Sequence, residues 1–366
     1  MKNTPLMKRI VFLDYLRVFA CFLVILVHAS ENYYGAIGSG DMAGPQSFLA
    51  NETDRFWVSL YDGFSRMSVP LFMITSAFLL APMKEGQSSW QFYLHRAARI
   101  LPPFFVFMIL YSTLPLLWGQ IDTATSLKDL SRLFLNFPTL AGHLWFMYPL
   151  IGLYLFIPII SPWLQKASAR EERFFIGLFL LSTCIPYLNR WCGEVWGQCF
   201  WNQYHVLWNF SGYLGYLVLA HYIRHHLTWN VRKRLIIGSL CTLVGAFATI
   251  YSFYTQAVPG VLHDTPIIEL GWAFCTLNCV ILSVGTFLLF TCIHRTTAPR
   301  LVSDISHLSY GMYLMHIFWL GLWVSLLKGA LPTGVAIPVI TAATFVCSYL
   351  SCKVISFLPG SKWIIG

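Results

Sequence analysis

Two residues in the first apolar stretch are of types that seldom sit in such surroundings without a task, Arg17 and His28. They lie eleven residues apart. On an α-helix this is three turns plus about 20°, so both side chains share one face, about 16 Å apart along the axis. Arg offers a planar fork that binds phosphate oxygens two at a time, and a His of near-neutral pKa can take a proton from a hydroxyl. A stripe with a phosphate clamp at one end and a base at the other suits transfer from a phosphorylated donor on one side of a membrane to an acceptor on the other. The axial gap is within reach of an extended pantetheine arm. Asp14, one turn before Arg17, is expected to pair with it, and Glu31, three residues after His28, is expected to orient the imidazole.

Further candidates are scattered. Arg96 and Arg99 share one face of segment 88–99, SSWQFYLHRAAR, which opens like a capped amphipathic helix and delivers both cations to the membrane surface. His143 and Trp145 stand where a helix enters from the outer side and are expected to line a sugar-binding mouth, because aromatic faces stack on apolar sugar faces. Tyr310 and His316 fall in one apolar run and are expected to face substrate; a ring as deep as His316 needs a partner, sought in Tyr310 or Ser309. The cluster His225, His226, Arg232, Lys233 and Arg234 reads as a topology anchor. Adjacent histidines without a nearby carboxylate or thiolate set do not make a coordination sphere, so no metal is expected.

The elements that position these residues are set by composition. With 57% hydrophobic and 11% charged residues over 366 positions, the chain is not a water-soluble protein. Apolar runs long enough to cross a bilayer fall near 10–29, 64–82, 100–118, 144–163, 174–188, 206–223, 235–254, 267–293, 308–327 and 335–357. This predicts an all-α polytopic membrane protein of about ten transmembrane helices in a single domain, its first helix retained rather than cleaved. The net charge of +9 is distributed as topology, not as a nucleic-acid surface. One set of loops holds most of the Lys and Arg, including Lys84, Arg96, Arg99, Arg170, Arg224 and Arg300, whereas the other holds Arg55, Arg66, Lys128, Arg132, Arg190 and Lys328. By the positive-inside rule the first set is cytoplasmic, and both termini with it. Cysteines are mostly within helices; Cys192 and Cys199 fall in one predicted outer loop, where an oxidising compartment would be able to join them. Segment 127–137 reads as a short interfacial helix.

Five segments in order add a resemblance. LDYLRVFACFLVILVH, ending at His28, resembles the first-helix signature of the bacterial membrane acyltransferase family 3, with Arg17 ahead of His28. SRMSVPLFMITSAFLL (65–80), FYLHRAARILPP (92–103), GHLWFMYPLIGLYLFIPII (142–160) and SYGMYLMHIFWL (309–320) are similar to its later segments, with Ala77 where many members have Gly. The wording SVPLF and HLWF is most similar to the branch that O-acetylates the enterobacterial common antigen. The resemblance implies acetyl-CoA as donor, entering from the cytoplasm of a bacterial inner membrane, and a glycan or lipid-linked oligosaccharide acceptor on the far side. It marks His28 as catalytic, whether as general base or as acyl carrier, and Arg17 as essential. The reading from another class is a glycan or lipid-linked sugar exporter, which needs no thioester donor.

Overall fold

The computed structural model describes residues 9–34, 46–197 and 205–366. Cys199, one half of the expected cysteine pair, lies outside them. The chain is all-α and polytopic. Helices α1 (Val11–Glu31), α2 (Glu52–Ser65), α3 (Ser68–Leu80), α4 (Ser89–Leu117), α5 (Thr123–Ser131) and α6 (Met147–Leu164) are followed by α7 (Ala169–Ser182), α8 (Ile185–Cys192), α9 (Tyr213–His225) and α10 (Val231–Gln256). A one-turn α11 (Thr265–Ile268) leads to α12 (Leu277–Phe290), α13 (Arg300–Leu327), α14 (Thr333–Ser356) and a terminal α15 (Lys362–Ile365). Two strands, β1 (Gln46–Phe48) and β2 (Leu262–Asp264), pair antiparallel and tie two interhelical connections together.

Among the described residues eight helical segments are long and apolar enough to cross a bilayer, α2 and α3 counting as one 29-residue rod. The expected spans at 174–188 and 206–223 are instead shorter helices. α7 and α9 have 14 and 13 residues; at 1.5 Å per residue each covers about 20 Å, less than the hydrocarbon thickness of about 30 Å. Each is eked out by a separate piece, α8 after α7 and a 3-10 turn (His205–Phe210) before α9. The breaks have local causes: Pro186 sits in the first turn of α8, and Gly212 before α9 adopts a φ of 71° that a side chain would resist. Eight long spans are, like the expected ten, an even number.

Two further boundaries differ from expectation. The capped segment at Ser88 and the span beyond Pro102–Pro103 form one 29-residue helix, opened by a Ser88–Gln91 capping box, so Arg96 and Arg99 ride on the spanning helix itself. The run 267–293 is one continuous α-helix only over Leu277–Phe290; before it come the end of α11 and a 3-10 turn at Leu270–Trp272. Its earlier part is broken into these short turns, and the Asn278 side chain donates to the Gly271 carbonyl at 2.5 Å, satisfying a backbone acceptor that a continuous helix would have paired. That broken stretch brings Glu269, Trp272 and Phe274 to the site described below.

α1 is the central post, packed against α2, α3, α13 and α14. α10 lies outermost and shows a face of Leu235, Ile236, Leu240, Leu243, Phe247 and Tyr251 to lipid. It holds to α12 through glycine: a Cβ on Gly245 would come within 2.5 Å of the Leu282 nitrogen, and one on Gly285 within 2.5 Å of the Thr242 nitrogen. Such small residues let helix backbones approach closely where apolar attraction between helices is weak. α5 begins at its Asp122 cap and is shorter than the interfacial helix expected at 127–137, the chain beyond it exposing Phe134 and Leu135.

Candidate active site

α1 is helical because its Leu, Val, Ala and Phe run contains neither Gly nor Pro. At its start Asp14 does not pair with Arg17. One carboxylate oxygen accepts from Arg9 Nε at 2.7 Å and the other from the Ser306 hydroxyl at 2.8 Å. Arg9 precedes the helix, so its side chain can fold back over the first turn, and the Ser306 bond ties α1 to α13. Arg17 is thereby left facing a cavity of about 330 Å³, lined also by Arg96, Arg99, Tyr154, Tyr310 and Tyr313. Among the described residues none of these three arginines forms an ion pair. A second cavity, of about 450 Å³, shares Arg17, Arg99 and His307 with the first and adds Arg9, Asp14 and Arg224. Arg17, Arg96 and Arg99, converging on open space without carboxylate partners of their own, make a site for a polyanion.

Tyr310 belongs to this end. Its hydroxyl donates to the Ile100 carbonyl at 2.8 Å, fixing α13 to α4 beside the arginines, and it is not the partner of His316. The partner is the Tyr313 carbonyl, 2.6 Å from His316 Nδ1.

At the far end of α1, His28 Nδ1 lies 2.7 Å from Glu31 Oε2. A carboxylate only accepts, so Nδ1 carries the proton and Nε2 is left as the basic nitrogen. Glu31 is held in turn: its other oxygen is 3.7 Å from Arg66. Arg66 forms an ion pair with Asp62 at 2.6 Å, donates to the Tyr34 hydroxyl at 3.1 Å and lies over the Trp272 ring at 4.4 Å. Tyr34 donates to Glu269 at 2.6 Å. His28, Glu31, Arg66, Trp145, Glu269 and Phe274 line a cavity of about 200 Å³. Trp145 stacks on Phe274 with ring centres 5.5 Å apart. Carboxylates, a guanidinium and a flat aromatic wall suit a polyhydroxylated ligand.

Between the two ends stands the 3-10 turn Gly142–Phe146, whose tight pitch sends neighbouring side chains different ways. Trp145 lines the outer cavity and Phe146 the inner one. His143 faces neither; it is 2% exposed and packs into a cluster with His28 and fully buried His316. Ring centres are 5.3 Å apart for His28–His316, 6.3 Å for His28–His143 and 5.0 Å for His143–His316. The expected sugar-mouth placement therefore fits Trp145 and not His143. The buried ring donates weakly to the Leu314 carbonyl at 3.4 Å, while the Tyr313 hydroxyl donates to the His143 carbonyl at 2.6 Å. Two histidines, one from the 3-10 turn and one from α13, thus stand behind the α1 histidine that reaches the cavity.

With this arrangement in view, the comparison with known families is decisive: a model described as an acyltransferase domain matches residues 10–353. The chain belongs to the acyltransferase 3 family. No curated protein and no solved structure matches it. The matched region of this membrane acyltransferase contains both cavities' key residues apart from Arg9. Asp62, Arg66 and Glu269 escaped sequence reading as site residues. Their signals were faint: Asp62 and Arg66 are a lone i,i+4 pair, and Glu269 sits in a stretch that reads as plain apolar span. The structure also sets a carboxylate, Glu172, beside His221 and His226, a grouping that the His225–His226 pair by itself did not suggest.

Proposed function

We propose that this acyltransferase is an O-acetyltransferase of the bacterial inner membrane, moving acetyl from cytoplasmic acetyl-CoA to a hydroxyl of a cell-surface or lipid-linked glycan, as in the branch acting on the enterobacterial common antigen. The observation that carries the reading is the pair of chemically opposite cavities at the two ends of α1. One is rimmed by Arg17, Arg96 and Arg99, the other by the His28–Glu31 pair and Trp145. CoA phosphates would dock on the arginines, and the pantetheine arm would run about three turns of α1, about 16 Å, to bring the thioester to His28. The cavities share no lining residue. Phe72 and Phe146, whose rings are 6.2 Å apart, line the inner cavity at the chain positions nearest Val69 and Trp145 of the outer one.

In the transfer, His28 Nε2 takes the proton from the acceptor hydroxyl as its oxygen attacks the thioester carbonyl. The carbon–sulfur bond then breaks, and the thiolate leaves with the proton returned from His28, giving the acetyl ester and free CoA. Glu31 keeps the imidazole in the required tautomer throughout and stabilises its charged form.

The test is mass spectrometry of the host's surface glycans, comparing the intact protein with His28→Ala at matched membrane levels. An acetyl mass increment present with the first and absent with the second is expected. An unchanged acetyl signal in the variant would refute the role of His28. Altered glycan export with no acetylation in either sample would favour an exporter.

A further inference from the structure

Away from both cavities, Glu172 is a buried carboxylate in a peculiar position. It lies in the first turn of α7 and is fully enclosed. One oxygen, Oε1, is 2.8 Å from His221 Nδ1 and 3.0 Å from His226 Nε2. The other, Oε2, has no hydrogen-bond partner among the described residues. Arg170 and Arg173 stand on the same helix, yet neither pairs with it among the described residues, nor does any Lys. An enclosed carboxylate with one orphaned oxygen and only imidazoles for company calls for a positive charge between them.

We propose that Glu172, His221 and His226 form a binding site for one divalent transition-metal ion of the zinc class, clipping α7 to α9. Two imidazoles and a carboxylate are the donor set such ions take at three positions, leaving a fourth for water. The three ligand atoms lie within 4.8 Å of one another. The two carboxylate–imidazole spacings, 2.8 and 3.0 Å, are already near the ~3.3 Å between ligand atoms of a tetrahedral zinc site, and rotation of the His226 side chain completes the set. The ion satisfies Oε2 as a second carboxylate contact. His226 is the partly exposed member, and that side supplies the entry path.

The clip has a structural consequence. His225, between the two ligands, stacks on His221 at 4.4 Å and lines a basic cavity of about 450 Å³ with Lys84, His95, Arg96 and Arg224. Holding the end of α9 against α7 holds Arg224 and His225 in that wall. The pattern is not an HxxxH motif: His221 is inside α9, whereas His226 is its C-cap, where the chain leaves the helix and swings the ring back.

The test uses the full chain in detergent micelles, free of any polyhistidine tag, stripped with EDTA and reloaded with zinc or cobalt(II). Elemental analysis is expected to find about one zinc per chain, with cobalt giving the visible bands of a tetrahedral site. His221→Asn and His226→Asn are expected to weaken binding at least tenfold, by about the loss of one ligand. The part-exposed His226 keeps the test interpretable if substitution of a buried ligand unfolds the chain. Zinc should raise the melting midpoint of the wild type and not of His226→Asn. Equal uptake by wild type and His226→Asn would overturn the proposal. So would absence of uptake with a metal-independent loss of stability as pH rises through the imidazole range, because a protonated histidine would then be the counter-charge.

Discussion

A histidine serves as a base when one ring nitrogen is committed and the other free, and Glu31 commits Nδ1 of His28 at 2.7 Å. His28→Ala should therefore lower kcat for acetyl transfer by on the order of 10²-fold or more, read from single-turnover assays in proteoliposomes. Glu31→Gln should also cost on the order of 10²-fold in kcat, because a glutamine amide can turn its NH₂ toward Nδ1 and lock the wrong tautomer. Since Glu31 touches nothing in the arginine cavity, the donor KM is expected to stay unchanged, and a rise in donor KM alone would contradict this assignment. Arg17→Lys is expected to do the reverse, raising donor KM while kcat falls less, because Lys keeps the charge but loses the two-pronged grip on phosphate. The spacing of Arg17 and His28 and the Glu31 contact are legible in the chain, since all three lie on one helix whose periodicity is known. Asp14 is not: its partner is decided by Arg9 outside the helix and by Ser306, 292 residues away.

Helices here are positioned by what their contact faces leave out as much as by what they carry. Gly245 on α10 and Gly285 on α12 meet the facing backbone at distances no side chain would permit, and Gly238 meets Gly285 nearly as closely. Gly285→Val is expected to destabilise the pair by about 1–3 kcal/mol, seen as a lowered melting midpoint in detergent. Gly177→Ala is the control: nothing lies within 4 Å of its Cβ position, so its midpoint should hold or rise slightly. A midpoint unchanged in Gly285→Val would show that the two helices are not in close contact. At this scale hydropathy located the helices well and their ends poorly. Apolar runs do not distinguish a continuous helix from the broken turns before Leu277, where the Gly271 carbonyl is satisfied by the Asn278 and Cys279 side chains inside the protein.

For the molecule as a whole, the two ends of α1 must face opposite compartments if donor and acceptor come from different sides. In a cysteine-free background, Gln120→Cys, exposed at the end of α4, should react with an impermeant maleimide on intact cells. Glu85→Cys, exposed at the other end of the same helix, should react only after permeabilisation. The opposite pattern would invert the topology, and with it the direction of transfer.

The sequence by itself determined the membrane character, the all-α class, the family through its ordered segments, and the stripe from Arg17 to His28. These rest on composition, local periodicity and wording, which are properties of contiguous residues. Only the tertiary structure decided that Trp145 and not His143 faces the outer cavity, that Tyr310 belongs with the arginines, and that Asp62, Arg66 and Glu269 support Glu31. It alone brought Glu172 to the histidines of α9. Each of these depends on which helix faces which, and that is set by packing between segments far apart in the chain, where no local pattern reaches.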